Sequence, residues 1–167
     1  MAKTPDAVDR VIEEWSQVRP DVDVSPIAII GRVSRLSRLV DRRLAENFSA
    51  SGLENWMYDV LATLRRSGQP YEMAAGQLVA HTMVTTGAIT NRIDRLVDRG
   101  WVERVAADDR RKVIVRLTKS GVDLVDKVLR SHTETEDEIL RTLTDRQRKE
   151  LANLLRTVLL ALGDFTA

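Results

Sequence analysis

The sequence predicts a mainly helical fold that carries one small β-hairpin, an α+β arrangement with long helices toward both chain ends. Three observations predict it. Apolar residues recur at helical spacing over most of the 167 residues. After Gly100 the period changes from about 3.6 to about 2 for two short runs, separated by the charged tip "ADDRRK". After "LTKSG" the helical period returns and holds almost to the end.

The first segment, "PDAVDRVIEEWSQVRP", spaces Val8, Val11, Ile12 and Trp15 as one helix face and stops at Pro20. "DVDVSP" is a short linker. A long helix is expected over residues 26–48, with Ile29, Ile30, Val33, Leu36, Leu39, Val40 and Leu44 as its stripe, broken by "SASG". "LENWMYDVLATLRR" puts Leu53, Trp56, Met57, Val60, Leu61 and Leu64 on one face. "SGQP" is a turn, "MAAGQLVAHT" a short helix and "MVT" a tight turn. Thr85 or Thr86 caps the next helix, which runs to Arg99 and is stopped by Gly100. Two helices joined by so short a turn make a helix-turn-helix.

The hairpin follows. Val113, Val115 and Leu117 alternate with Ile114 and Arg116 in its second strand. Thr118 caps a helix expected to reach Leu143, and Thr144 with Gln147 forms a near capping box for the last one. That final helix carries Leu151, Leu154, Leu155, Val158, Leu159 and Leu162. The whole reads as a winged helix-turn-helix over residues 53–118, flanked by long amphipathic helices at 26–48 and 119–165, with an extra helix in residues 1–20 ahead of the domain at 21–167.

Composition excludes several classes. There is no cysteine, hence no disulfide, thiol sensor or cysteine-ligated metal. No apolar run approaches the roughly 18 residues a membrane span needs. The N-terminus lacks the apolar core of a signal peptide, so no membrane association and a cytoplasmic location are expected. The two histidines, His81 and His132, belong to no catalytic motif, and no G-x-S-x-G, P-loop or H-E-x-x-H pattern occurs, so no enzyme and no bound cofactor are expected. "HTETEDE" is the one candidate metal cluster, and it reads more simply as a solvated acidic face.

Net charge is only +1, but it is unevenly spread. Residues 1–84 hold 10 basic and 11 acidic side chains, residues 85–119 hold 9 and 5, and residues 120–167 hold 7 and 9. The excess of cations therefore coincides with the second helix of the helix-turn-helix and the hairpin, the footprint of a polyanion partner. At about 100° per residue, Ile89, Ile93, Leu96 and Val97 form the core face of that helix, and Asn91 points away, flanked by Thr90 and Arg95. Thr86 lies in the first turn, where hydroxyls and backbone N–H groups meet phosphate. Thr86, Thr90, Asn91 and Arg95 are the candidates for a major groove. Arg110 and Arg111, with Lys112, are the candidates for an adjacent minor groove or its phosphates. Thr86 could equally be only a cap, and Arg95 could pair with Asp98 or Glu103.

The stretches "DDRRKVIVRLTKSG" and "TTGAITNRIDRLVDRGWVER" resemble the wing and recognition helix of the MarR family of winged-helix transcription regulators, over about residues 26–165. Gly76 departs from the family pattern, which more often has an acidic or larger residue there. The resemblance implies a homodimer built on the long terminal helices and reading a pseudo-palindromic site on double-stranded DNA. It matches Asp109 and Arg111 to a D-x-R wing tip, with Arg111 entering the minor groove and Asp109 holding a neighbouring arginine.

Arg92 borders the apolar face of the recognition helix, either snorkelling or paired with an anion. A urate-responsive branch of the family carries an extra N-terminal helix with a Trp, an Asp on the helix before the helix-turn-helix, an Arg in the recognition helix and an Arg at the wing base. Trp15, Asp59, Arg92 and Arg104 match these in type and context. The resemblance implies a small-molecule effector: a small anion, urate or another purine, or a tricarboxylate, stacked on Trp15 and neutralised by Arg92 and Arg104. Without it, Trp15 is plain core, Asp59 is exposed and Arg104 is a phosphate contact. A ligand-independent DNA binder is the main alternative, and a small-molecule carrier the third.

Overall fold

The computed structural model describes residues 4–82, 86–106 and 113–165, with the side chains of 80–88 left aside. It forms two compact units, residues 1–46 and 47–167.

The first unit holds α1 (Ala7–Val18) and α2 (Ile27–Ser49, whose last turn enters the second unit). α1 starts at a full capping box: the Asp6 carboxylate accepts the Val8 and Asp9 backbone N–H groups, and Asp9 returns the contact to the Asp6 N–H. Val8 is the one buried side chain of α1, and it packs against Gly31, where an added Cβ would meet its Cγ1 at 3.1 Å. Arg32 clamps the cap from α2, reaching Asp6 at 2.8 Å and Asp9 at 2.6 Å. Both carboxyls are held below the ordinary range, first by the capping N–H groups and then by Arg32. Lowered values mean that the clamp is in place above the usual carboxylate range and is lost as pH falls through the folded values. Arg32→Ala is therefore expected to speed amide exchange over α1 at neutral pH. Acid does the same to the wild type. Exchange measured across α1 checks this, and unchanged protection in Arg32→Ala would show that Val8 alone holds the helix.

The second unit contains α3 (Asn55–Arg66), β1 (Glu72–Ala74), α4 (Ala75–Thr82), α5 (Thr86–Asp98), β2 (Val102–Val105), β3 (Ile114–Leu117), α6 (Lys119–Leu140) and α7 (Asp145–Ala161). Its core is assembled from Met57, Val60, Leu61 and Leu64 of α3, Leu78 of α4, Ile89, Ile93 and Leu96 of α5, Val102 and Val115 of the sheet, and Val125 and Val128 of α6. Those of α3, α5 and β3 are apolar positions that helical and strand periodicity select. Arg65 of α3 closes the edge of this core by a two-point contact to Asp126 of α6 at 2.8 and 3.1 Å.

The sheet is larger than the expected hairpin. It has three antiparallel strands in the order β1-β3-β2. Glu72 stands opposite Arg116 on one side and Glu103 opposite it on the other. Arg116 binds Glu72 through Nε at 2.7 Å and approaches Glu103 at 3.8 Å, so the central strand is tied by charge to both neighbours. Val113 falls outside β3 and is 45% exposed.

Thr118 caps α6 by accepting the Gly121 N–H, and Thr144 with Gln147 forms a complete capping box on α7. α6 ends at Leu140, a turn earlier than expected. α7 buries none of its residues: Leu154, Val158 and Leu159 are exposed on it, and so is Leu162 at its C-cap. In the first unit Ile29, Ile30, Val33, Leu36 and Leu39 of α2 are exposed as well.

Candidate nucleic-acid interface

α5 follows α4 after the short segment 83–85, and β2 and β3 follow α5. The helix stops at Gly100, whose φ of +69° is open to glycine at little cost. Ile89, Ile93 and Leu96 anchor one face in the core, at 1%, 2% and 0% exposure. The other face presents Thr90, Asn91 and Arg95 to solvent. Thr86 is the first residue of α5; its side chain lies outside the described residues. So do the expected caps at 85 and 86 and the wing-tip residues Asp109, Arg110 and Arg111.

The cations of α5 are held by partners that sequence spacing does not reveal. Arg95 pairs with Glu54, at the N-terminus of α3, and not with the nearby Asp98 or Glu103. The Trp56 indole N–H donates to the other Glu54 oxygen at 2.7 Å. The Arg95 and Arg92 guanidiniums lie 4.9 and 5.2 Å from the Trp56 ring centre, within cation–π range. The Trp56 and Arg95 hydrogen bonds hold the Glu54 carboxyl below its ordinary range, with Arg99 adding attraction. Trp56, expected as core, is thus a half-buried platform for two arginines. Arg104, at the base of the wing, pairs with Asp94 of α5 and so links strand to recognition helix.

Asp59 is exposed on α3, as its place off the apolar face requires. Although the residue as a whole is exposed, partial desolvation of its carboxyl raises the group above the usual range, against the pull of Arg92 and Arg66. Within the second unit, then, Asp59 and Arg92 lie in one electrostatic neighbourhood, and Arg104 is joined to the same helix as Arg92 through Asp94. Trp15 belongs to the first unit and is 49% exposed.

His132 departs from the solvated face expected for "HTETEDE". Its ring stacks on Phe48 at 5.4 Å and lies 5.0 Å from Tyr58, while Glu136 approaches its Nε2 at 3.3 Å. Glu134, Glu136, Asp137 and Glu138 are exposed as expected. Among the described residues no three His, Asp or Glu side chains are grouped to hold a metal ion. No helix among them is long and apolar enough to cross a membrane.

A short helix pair whose second member is anchored by one face and polar on the other, followed by a charged antiparallel sheet, defines a winged helix-turn-helix protein. The family model described as MarR family matches residues 51–112. The transcriptional regulator PecS of Dickeya dadantii is 39% identical over 152 residues, covering 90% of this chain and 92% of its own. The chain belongs to the MarR family of winged-helix transcription regulators; it is not an enzyme. Among solved structures, apo MarR from E. coli is 30% identical with a TM-score of 0.67, over 77% of this chain and 95% of its own. A mutant MarR from E. coli complexed with operator DNA is 27% identical with a TM-score of 0.69, over 87% and 97%.

Proposed function

We propose that this protein is a homodimeric repressor that grips a pseudo-palindromic operator and releases it when a small anion binds. One observation carries the DNA half: α5 buries Ile89, Ile93 and Leu96 and turns Thr90, Asn91 and Arg95 outward. A helix anchored in this way is a rigid reading head for a major groove. Thr86 supports the first turn on phosphate, Arg111 enters the minor groove, Asp109 orients the tip, and Arg110 adds a phosphate contact. The likeness to E. coli MarR complexed with operator DNA supports the same assignment. The exposed leucines and Val158 of α7, and separately the exposed stripe of α2, need a cover, and a second copy of the chain supplies it. A repressor of this kind acts in the cytoplasm.

The effector half rests on Asp59, Arg92 and Arg104 in the second unit, with Trp15 brought in by the resemblance to urate-responsive regulators. The ligand is a small, preferably flat anion: urate or another purine, or a tricarboxylate. Arg92 and Arg104 neutralise it, and Asp59 accepts a ligand N–H or repels the anion once ionised. Arg92 sits on the recognition helix, so a pull on it displaces that helix. Linkage then makes DNA and ligand antagonists.

A gel shift on the promoter region beside the protein's own gene, titrated with urate, xanthine, citrate and trans-aconitate, tests this. One ligand is expected to release the DNA, with Arg92→Ala and Trp15→Ala blunting the release while the dimer stays folded. Binding that no ligand relieves would leave a ligand-independent DNA binder.

A further inference from the structure

Glu54 occupies the N-cap position of α3 and makes no capping hydrogen bond, so its carboxylate is available to other partners. Its oxygens are spent on Trp56 and on Arg95. Trp56 fixes the carboxylate through its N–H and offers its ring to Arg95 and Arg92, while Arg99, just past the end of α5, attracts the same carboxylate. Glu54 thus faces two cations, Arg95 of α5 and Arg99 just past its end, and Trp56 holds a third, Arg92, over its ring. Both members of the ion pair are half exposed, at 52% each. A pair so open to water is held weakly, and a phosphate diester, aligned along a groove, competes for the guanidinium on better terms.

We propose that Glu54, positioned by Trp56, is a built-in counter-anion that occupies Arg95 in the free protein and is displaced by a DNA phosphate on binding. The proposal rests on the reading of α5 as the DNA-contacting helix. Its consequence is discrimination. Arg95 is withheld from randomly placed phosphates, and only DNA docked in register presents one close enough to take Glu54's place. Binding therefore exchanges one ion pair for another. The protein gains less than a full cation's worth of counter-ion release at this position.

Glu54→Gln tests the exchange directly, because the amide keeps the shape and still accepts the Trp56 N–H but carries no charge. Operator affinity is measured by fluorescence anisotropy across a salt series, with circular dichroism confirming the fold. Glu54→Gln is expected to tighten binding about two- to five-fold. It is also expected to steepen the slope of log affinity against log salt by up to about 0.9. In an Arg95→Ala background the same substitution is expected to gain nothing, which separates displacement at Arg95 from general removal of a negative charge. Trp56→Phe, which keeps the ring and loses the N–H, is expected to act in the same direction and more weakly. Arg95→Ala alone reports on the underlying reading: if it leaves operator binding unchanged, the assignment of Arg95 to DNA fails and the proposal with it. If Arg95→Ala weakens binding but Glu54→Gln does not tighten it, or tightens it equally in the Arg95→Ala background, Glu54 is a support or a bystander and the displacement is overturned.

Discussion

Gly121→Ala is expected to cost about 3 kcal/mol of stability, near the top of the usual range for overpacking. Gly121 lies in the first turn of α6, where alanine should gain up to about 1 kcal/mol of helix propensity. Packing reverses the sign. An added Cβ would stand 2.0 Å from the Trp101 carbonyl oxygen and 3.0 Å from its carbon. Those are backbone atoms, so no rotamer change can relieve the contact. Nor can the peptide swing aside freely. The Trp101 carbonyl accepts the Thr118 N–H at 3.1 Å, and the neighbouring Gly100 carbonyl accepts the Thr118 and Ser120 hydroxyls at 2.7 and 2.8 Å. The turn that ends the recognition helix and starts the wing is thereby docked onto the start of α6. Urea unfolding at fixed protein concentration is expected to show a lower midpoint with an unchanged slope. An unchanged midpoint would mean that the turn yields freely. Because β2 begins beside Trp101, weaker operator binding is expected in the same variant.

The second large effect separates the two faces of α5. Leu96 is fully buried, and Leu96→Ala is expected to destabilise by about 2–5 kcal/mol through lost transfer energy and the cavity left behind. Asn91 is exposed on the opposite side, so Asn91→Ala is expected to change stability by less than about 0.5 kcal/mol. Its effect falls on operator affinity instead, by about 1–3 kcal/mol if the amide reads a base edge. Paired unfolding and binding curves on the two variants check this. A stability loss at Asn91, or none at Leu96, would rotate the helix from the orientation described.

Much of this was legible in the chain. The buried apolar residues of α5, and Met57, Val60, Leu61 and Leu64 of α3, fall where a 3.6-residue period puts them, although Tyr58 and Thr63 are buried off that face, and the change of period at Gly100 marks the turn into β2. The caps at Thr118 and Thr144 follow from side chains that compete for backbone N–H groups within three residues. What escaped is long-range. β1 has only three residues, too few to show alternation, and it exists because β3, some 40 positions later, offers its free edge. Glu54 gives no local sign of its pairing with Arg95, 41 residues away. His132 sits in an acidic run, yet its ring turns inward onto Phe48 and Tyr58, because one aromatic position in a charged helix is decided by what packs opposite it. Trp56 continues the apolar face of α3 but sits near its beginning, where the core gives way to the arginines of α5.

The most direct test of the central claim is an anisotropy titration of the purified protein against the promoter DNA beside its own gene and against unrelated DNA of the same length. Wild type, Arg95→Ala and Arg111→Ala would be measured side by side. The wild type is expected to prefer the promoter fragment, with a stoichiometry of two chains per site, and both substitutions are expected to weaken binding while the unfolding midpoint stays put. Equal, weak affinity of all three proteins for both DNAs would contradict the claim.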